Sequence, residues 1–209
     1  MLAATGAGKA STALAAGFLL AREPWAALID IGCAGAFPNL FVAPGEVVIA
    51  DREILADEGT DTPEGFLDLE ALRLPVAVLD RPVFNEIPIH PACRLSPKDL
   101  ARFSEEIGFP VRAGPLCTVS TASGTDLRAA EVFARTRALA ESMEGAAAAL
   151  AALRFSLPFL EIRGISNLTG RRDRTSWDIP RAIQRSTAVL HKLLDASDRW
   201  VSPAESRLP

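Results

Sequence analysis

The 209-residue sequence predicts an α/β domain with a largely parallel central sheet. Three observations lead there. Short apolar runs bracketed by glycine or proline recur at residues 2–5, 25–31, 46–50, 75–79, 111–119 and 159–165, and read as strands. Helix-forming runs fall between them, most clearly the alanine-rich stretch from Ala146, which meets no Gly or Pro before Pro158. The composition, 49% hydrophobic and 23% charged, supplies a core and argues against disorder.

The first strand, residues 2–5, leads through the turn Gly6-Ala7-Gly8-Lys9 into a helix over residues 10–22. GAGKAS is not a phosphate loop. That motif needs a Gly five residues before the Gly-Lys pair and a hydroxyl after the Lys, and Ala3 and Ala10 stand there. The glycines either bring N–H groups to an anionic or hydroxylated group or simply make a tight turn. The second strand, 25–31, runs into Gly32-Cys33-Ala34-Gly35-Ala36-Phe37, small residues that let a ligand or another element approach closely. Pro44-Gly45 introduces the third strand, and residues 51–59 read as an acidic loop. Between 60 and 100 only 75–79 reads as a strand, and His90 and Arg94 are expected in a solvated loop. Ser96 caps a helix from Pro97 to about Ile107. Strand 111–119 ends in Ser120-Thr121-Ala122-Ser123-Gly124-Thr125, where Ser123 or Thr125 caps the next helix and the hydroxyls serve capping or a substrate. Asp178 and Pro180 open the last helix, which reaches about residue 196 and carries His191 in its last turns as a structural residue. Residues 1–196 are expected to form one domain, with 197–209 a polar tail.

A net charge of −4 argues against nucleic acid as a partner, and no apolar run is long enough to span a membrane. Cys33, Cys93 and Cys117 form neither a metal nor a disulfide pattern, so a cytoplasmic protein with reduced thiols and no metal or organic cofactor is expected. The organising stretch is 143–167, MEGAAAALAALRFSLPFLEIRGISN. If its strand doubles back on its helix, Glu144, Arg163 and Asn167 meet outside the carboxyl ends of the strands, where α/β sheets bind ligands.

Five segments together resemble the purine nucleoside phosphorylase and nucleosidase superfamily: TGAGKAS (5–11), IGCAGAF with PGEVVIAD (31–37, 44–51), SGT (123–125), SMEGAAAA (142–149) and EIRGISN (161–167). Within it, ADEG (56–59) and RGISNLTGRRDRTSWDI (163–179) are most similar to the futalosine hydrolases. The resemblance implies a three-layer fold, a mostly parallel or mixed sheet flanked by helices. It also implies N-glycosidic hydrolysis of a nucleoside whose 5′ side carries a carboxylated aromatic group, within menaquinone biosynthesis, and a homo-oligomer; the alternatives are a methylthioadenosine/adenosylhomocysteine nucleosidase, a purine nucleoside phosphorylase, or a non-catalytic member that binds a nucleoside.

By that resemblance Glu144 grips the ribose hydroxyls and steadies the cation that develops on the sugar, with Met143 as an apolar ribose contact. Arg163 organises the attacking water and neighbouring acids. Gly8, Cys33, Ala34, Gly35, Ser123 and Gly124 complete the expected substrate contacts. Asn167 stands where adenine-releasing nucleosidases carry aspartate. Its amide can donate to a 6-oxo group while accepting from protonated N7, which leans toward hypoxanthine, although a flipped amide also fits adenine. The Cys33-Ala34-Gly35 turn lacks a hydroxyl for phosphate, which favours water as the nucleophile. In the nucleosidases a further strand precedes the one matched by residues 2–5 and is followed by a general acid/base. That strand is expected to be missing here, and the acid/base role is left unassigned.

Overall fold

The computed structural model describes residues 1–38, 41–89 and 93–195. His90 and the tail beyond residue 196 lie outside them. Among the described residues five α-helices, α1 (Lys9–Leu20), α2 (Pro97–Ile107), α3 (Asp126–Thr136), α4 (Gly145–Arg154) and α5 (Ile179–Asp195), accompany ten strands. The central sheet contains β1 (Leu28–Ala36), β2 (Val47–Leu55), β7 (Glu86–Ile87), β8 (Val111–Thr118), β9 (Ala140–Ser142) and β10 (Phe159–Leu168), in the order β10-β1-β9-β8-β2-β7. Strand β10 also pairs with β2, so five of these strands close on themselves. The sheet is mixed: β1–β10, β2–β8 and β8–β9 run parallel, while β1–β9, β2–β10 and β2–β7 run antiparallel.

Two apolar layers sandwich the sheet. On one face the alanines of α4 (Ala146, Ala148, Ala149 and Ala152) pack against Val48, Ala50, Leu116 and Ile165. With no side chain beyond Cβ, they let helix and sheet approach closely. On the other face Phe103 of α2 and Val189 and Leu193 of α5 cover Val47, Ile49, Leu160 and Ile162. Helix ends follow the expected chemistry. Ser96 accepts the Asp99 N–H, and Asp178 accepts the Arg181 N–H. Thr125, not Ser123, caps α3 by accepting from Arg128.

Several elements depart from the sequence reading. Residues 2–5 form no strand, and Leu2 is 89% exposed. An apolar run becomes a strand only when an edge pairs with it, and this one has no ladder. Strand β1 continues through the small-residue run on its ladder with β10, and Arg163 of β10 fills the space a side chain at Gly32 would need. Strand β1 meets β9 only through Gly35 and Ala36, so its edge from Leu28 to Ala34 is unpaired among the described residues. The acidic loop expected after residue 50 is the second half of β2. There Asp51 drops out of register with β8 between Ala50 and Arg52. Such a bulge re-aims the residues after it, and it turns Glu53 into the α4 face, fully buried. Strand β9 is too short to read from sequence. Between residues 59 and 83, β3 (Gly59–Thr62) pairs with β4 (Gly65–Asp68), and β5 (Ala77–Val78) with β6 (Pro82–Val83).

Candidate functional site

A pocket of about 240 Å³ opens at the carboxyl ends of β1, β9 and β10. It gathers Cys33, Ala34, Gly35, Ser123, Met143, Glu144 and Asn167 from the sequence-predicted set. Three predicted residues lie elsewhere. Gly124 is exposed and does not line it. Gly8 also stays outside, but its N–H donates to Glu144 Oε1 at 2.9 Å, so the glycine turn before α1 orients this carboxylate. Arg163 sits behind the pocket, 3% exposed, with Nη1 3.5 Å from Glu144 Oε2.

Arg163 is the hub of a buried charge cluster. Its Nη2 meets Asp30 Oδ2 at 2.5 Å, and its Nε donates to Glu161 Oε1. The ladder makes this arrangement, since Asp30 lies opposite Glu161 and Gly32 opposite Arg163, and residues opposite one another share a face. Burial opposes the guanidinium charge, but the carboxylates of Glu161 and Asp30 overcome it and hold Arg163 protonated beyond its ordinary value. Burial also pushes the Asp30 carboxyl up to about 6, against the pull of Arg163. Near Glu144, Lys9 is likewise engaged, pairing with Asp57 at 2.5 Å and Glu58 at 2.8 Å.

Glu141 was not anticipated. It lines the pocket and is buried, accepting from both the Ser123 N–H at 2.7 Å and the Ser123 hydroxyl at 2.6 Å. Burial raises its carboxyl, and the Ser123 bonds hold the rise in check. Its place two residues before Met143, in the stretch that became β9, was the available signal. Asn167 Oδ1 accepts from Ser166 Oγ at 2.7 Å and Nδ2 donates to the Leu168 carbonyl at 2.8 Å. That anchors the amide and leaves one N–H and one lone pair for a ligand. Thr169 offers a buried hydroxyl with no partner among the described residues.

The rim was read only as sequence similarity. It consists of Arg171, Arg172, Trp177 and Ile179. The loop is tethered through Thr169 N–H to Ala36, Gly170 N–H to Ser123, Arg171 N–H to Asp126 and Asp178 N–H to Ser166. Gly170 (φ 109°) faces Asp126 so closely that a side chain there would collide with it. Arg172 lies over the Trp177 ring, 5.2 Å from its centroid, and Arg171 lies close enough to Asp173 that its charge, after hydrogen bonds from Thr175, helps lower that carboxyl. Among those residues no cluster of three or more His, Cys, Asp or Glu could hold a metal ion, and no helix is long and apolar enough to cross a membrane. A larger groove, about 670 Å³, runs along the unpaired edge of β1 between α1 and α5 and reaches Glu144, Arg163 and Asp30.

Futalosine hydrolase of Acidothermus cellulolyticus is 36% identical over 169 residues, covering 79% of this chain and 63% of that one. The enzyme of that name from Streptomyces coelicolor is 35% identical over 180 residues, covering 85% and 69%. The chain thus spans less than two thirds of the Acidothermus protein's length. Among solved structures, the 5′-methylthioadenosine/S-adenosylhomocysteine nucleosidase of Streptococcus pneumoniae, with a transition-state inhibitor, superposes with a TM-score of 0.71 at 26% identity, covering 93% of this chain and 80% of that one. This likeness bears out the expected fold, a central mixed sheet flanked by helices. The family model of the phosphorylase superfamily matches residues 1–197, and by that match and those relatives this chain belongs to the phosphorylase superfamily.

Proposed function

We propose that the protein hydrolyses the N-glycosidic bond of futalosine, releasing hypoxanthine, as a step of futalosine-dependent menaquinone biosynthesis. The observation that carries the hydrolytic part is the state of the cations around Glu144. Arg163 is shared by three carboxylates, and Lys9 is held by two. Neither is free to bind phosphate, which favours water as the nucleophile.

Glu144, oriented by Gly8 and Arg163, accepts hydrogen bonds from the ribose hydroxyls and places negative charge beside the sugar as it becomes cationic. Asn167, anchored by Ser166, donates its remaining N–H toward the purine and accepts with its remaining lone pair, stabilising the departing base. The choice of futalosine over methylthioadenosine rests on the futalosine hydrolase relatives and on the rim. Arg171 and Arg172 present exposed cationic charge at the pocket mouth, next to Trp177. A carboxylated aromatic substituent meets both, by stacking and by charge-assisted hydrogen bonding. A methylthio group meets neither.

The test is chromatography of the base released from futalosine, with and without phosphate, beside methylthioadenosine. Hypoxanthine at equal rates in both buffers is the expected result. Adenine from methylthioadenosine with futalosine untouched would overturn the substrate, and a phosphate requirement would overturn hydrolysis.

A further inference from the structure

Behind the pocket stands a pair of acids that neither the ribose grip nor the purine contact uses. Glu53 and Glu161 are both 0% exposed. Both oxygens of Glu53 and Oε2 of Glu161 have no hydrogen-bond partner among the described residues. Three buried acceptor atoms without donors are costly. Two carboxylates can offer each other nothing, but a carboxylic acid and a carboxylate share one hydrogen bond. The two side chains are within hydrogen-bonding reach of each other.

We infer that Glu53 is a neutral acid that donates its proton to Glu161 Oε2 and thereby positions Arg163 against Glu144, a role that rests on the nucleosidase reading above. Geometry puts the proton on Glu53. Glu161 Oε1 already accepts from Arg163 Nε and from Ser142 Oγ, whereas Glu53 is bonded to no cation among the described residues. Burial above all, and then the charge of Glu161, drives the Glu53 carboxyl well above its ordinary range.

The surroundings agree from every side. Asp30 on β1 adds negative charge and Arg163 on β10 counters it in part, while on β8 burial and then the charge of Glu141 raise the neighbouring Cys117 thiol. On α4, Gly145 leaves the room that Glu161 occupies, since any side chain there would overlap its carboxylate. The bulge at Asp51 aims Glu53 at this point. A β2 without it would place Glu53 on the opposite face. Glu53 touches no pocket surface and acts through Arg163 as a positioning residue. Arg163, held at Nε by Glu161, is left with its two Nη groups for Asp30 and Glu144.

The experiment compares Glu53→Gln with Glu53→Leu in the full chain. Gln keeps a donor toward Glu161 but cannot ionise, and Leu removes the donor. Infrared spectroscopy of the substrate-free protein at neutral pH should show Glu53→Gln losing absorbance in the protonated-carboxyl C=O band. Loss from the carboxylate band instead overturns the inference, whatever the substrate proves to be. In turnover of futalosine, Glu53→Gln should stay within about threefold of the parent kcat/KM and lose the alkaline limb that deprotonation of the pair imposes. Glu53→Leu should fall by about tenfold or more, the scale of one stranded buried acceptor. A folded Glu53→Leu protein with the parent kcat/KM and pH profile also overturns it. Should Glu53→Leu fail to fold, the infrared band and the alkaline limb of Glu53→Gln decide. If no nucleoside is cleaved by any form, the functional reading fails while the infrared result still tests the shared proton.

Discussion

The floor and the rim of the pocket hold charge in opposite ways. At the floor one guanidinium, 3% exposed, is ringed by Asp30, Glu144 and Glu161. At the rim two arginines stand exposed to solvent, Arg171 near the equally exposed Asp173 and Arg172 over Trp177. Charge in a buried site is costly to desolvate and must be satisfied internally, so the floor is rigid and its parts depend on each other. Charge at the surface is cheap and stays available for a ligand. The contrast predicts large, coupled effects on stability from the floor and small, substrate-specific effects from the rim.

The largest effect is expected at Arg163. Arg163→Met strands the buried Glu161 carboxylate and the partly buried Asp30 and Glu144 and should destabilise the fold by about 3–5 kcal/mol, the range for removing one partner of a buried ion pair. Denaturant unfolding at neutral pH measures it. A loss below about 1 kcal/mol would show that water or protonation compensates the cluster, and would erase the distinction between floor and rim.

Glu144 is next. Glu144→Gln keeps the shape and an acceptor for the Gly8 N–H but removes the charge that, on the proposed function, steadies a ribosyl cation. Turnover should fall by more than roughly tenfold with the melting temperature little changed. Parent-level turnover would take Glu144 out of the ribose site.

Much of the floor was legible and some of it was not, for physical reasons. The Met-Glu-Gly-Ala helix and the Arg-x-x-x-Asn strand place Glu144, Arg163 and Asn167 together because helix and strand are consecutive and antiparallel in travel. Glu53 was hidden because a bulge at Asp51 breaks the period of two on which strand reading depends. The segment that holds it therefore read as an acidic loop. Glu141 was hidden because β9 is three residues long and has no pattern of its own. The first apolar run misled in the opposite direction: residues 2–5 look like a strand, but strand formation needs a neighbour that local sequence does not reveal. At the rim, Arg171, Arg172 and Trp177 lie in a loop whose shape comes from distant partners, Asp126, Ser123 and Ala36.

The floor also carries a pH signature. The Asp30 carboxyl, raised by burial to about 6 from an ordinary 3.8, binds its proton more tightly in the folded chain than in the unfolded one. Its contribution to stability is therefore fully present below about pH 4 and is lost as pH rises through about 6. Asp30→Asn cannot ionise. The stability of the parent protein should fall relative to that variant across this window and run parallel to it at higher pH, as followed by denaturant midpoints at several pH values. Parallel curves throughout would mean that Arg163 keeps Asp30 ionised in both states.

The rim should yield the smallest and most selective change. Arg172→Gln removes a cation from an exposed position that supports no buried partner, so stability should stay within about 0.5 kcal/mol. For futalosine the KM should rise several-fold, about what one solvent-exposed charge-assisted contact supplies. For the analogue whose carboxylate is converted to an amide, KM should be the same in both proteins, because the guanidinium has no charge to meet. Added salt should raise KM for the parent protein with futalosine and leave the amide analogue unaffected, since exposed charge pairs are screened. Equal KM shifts for acid and amide would assign Arg172 to holding the Trp177 ring rather than to the substrate's charge. The rim would then select for shape alone, and the difference between floor and rim would be one of rigidity, not of electrostatic purpose.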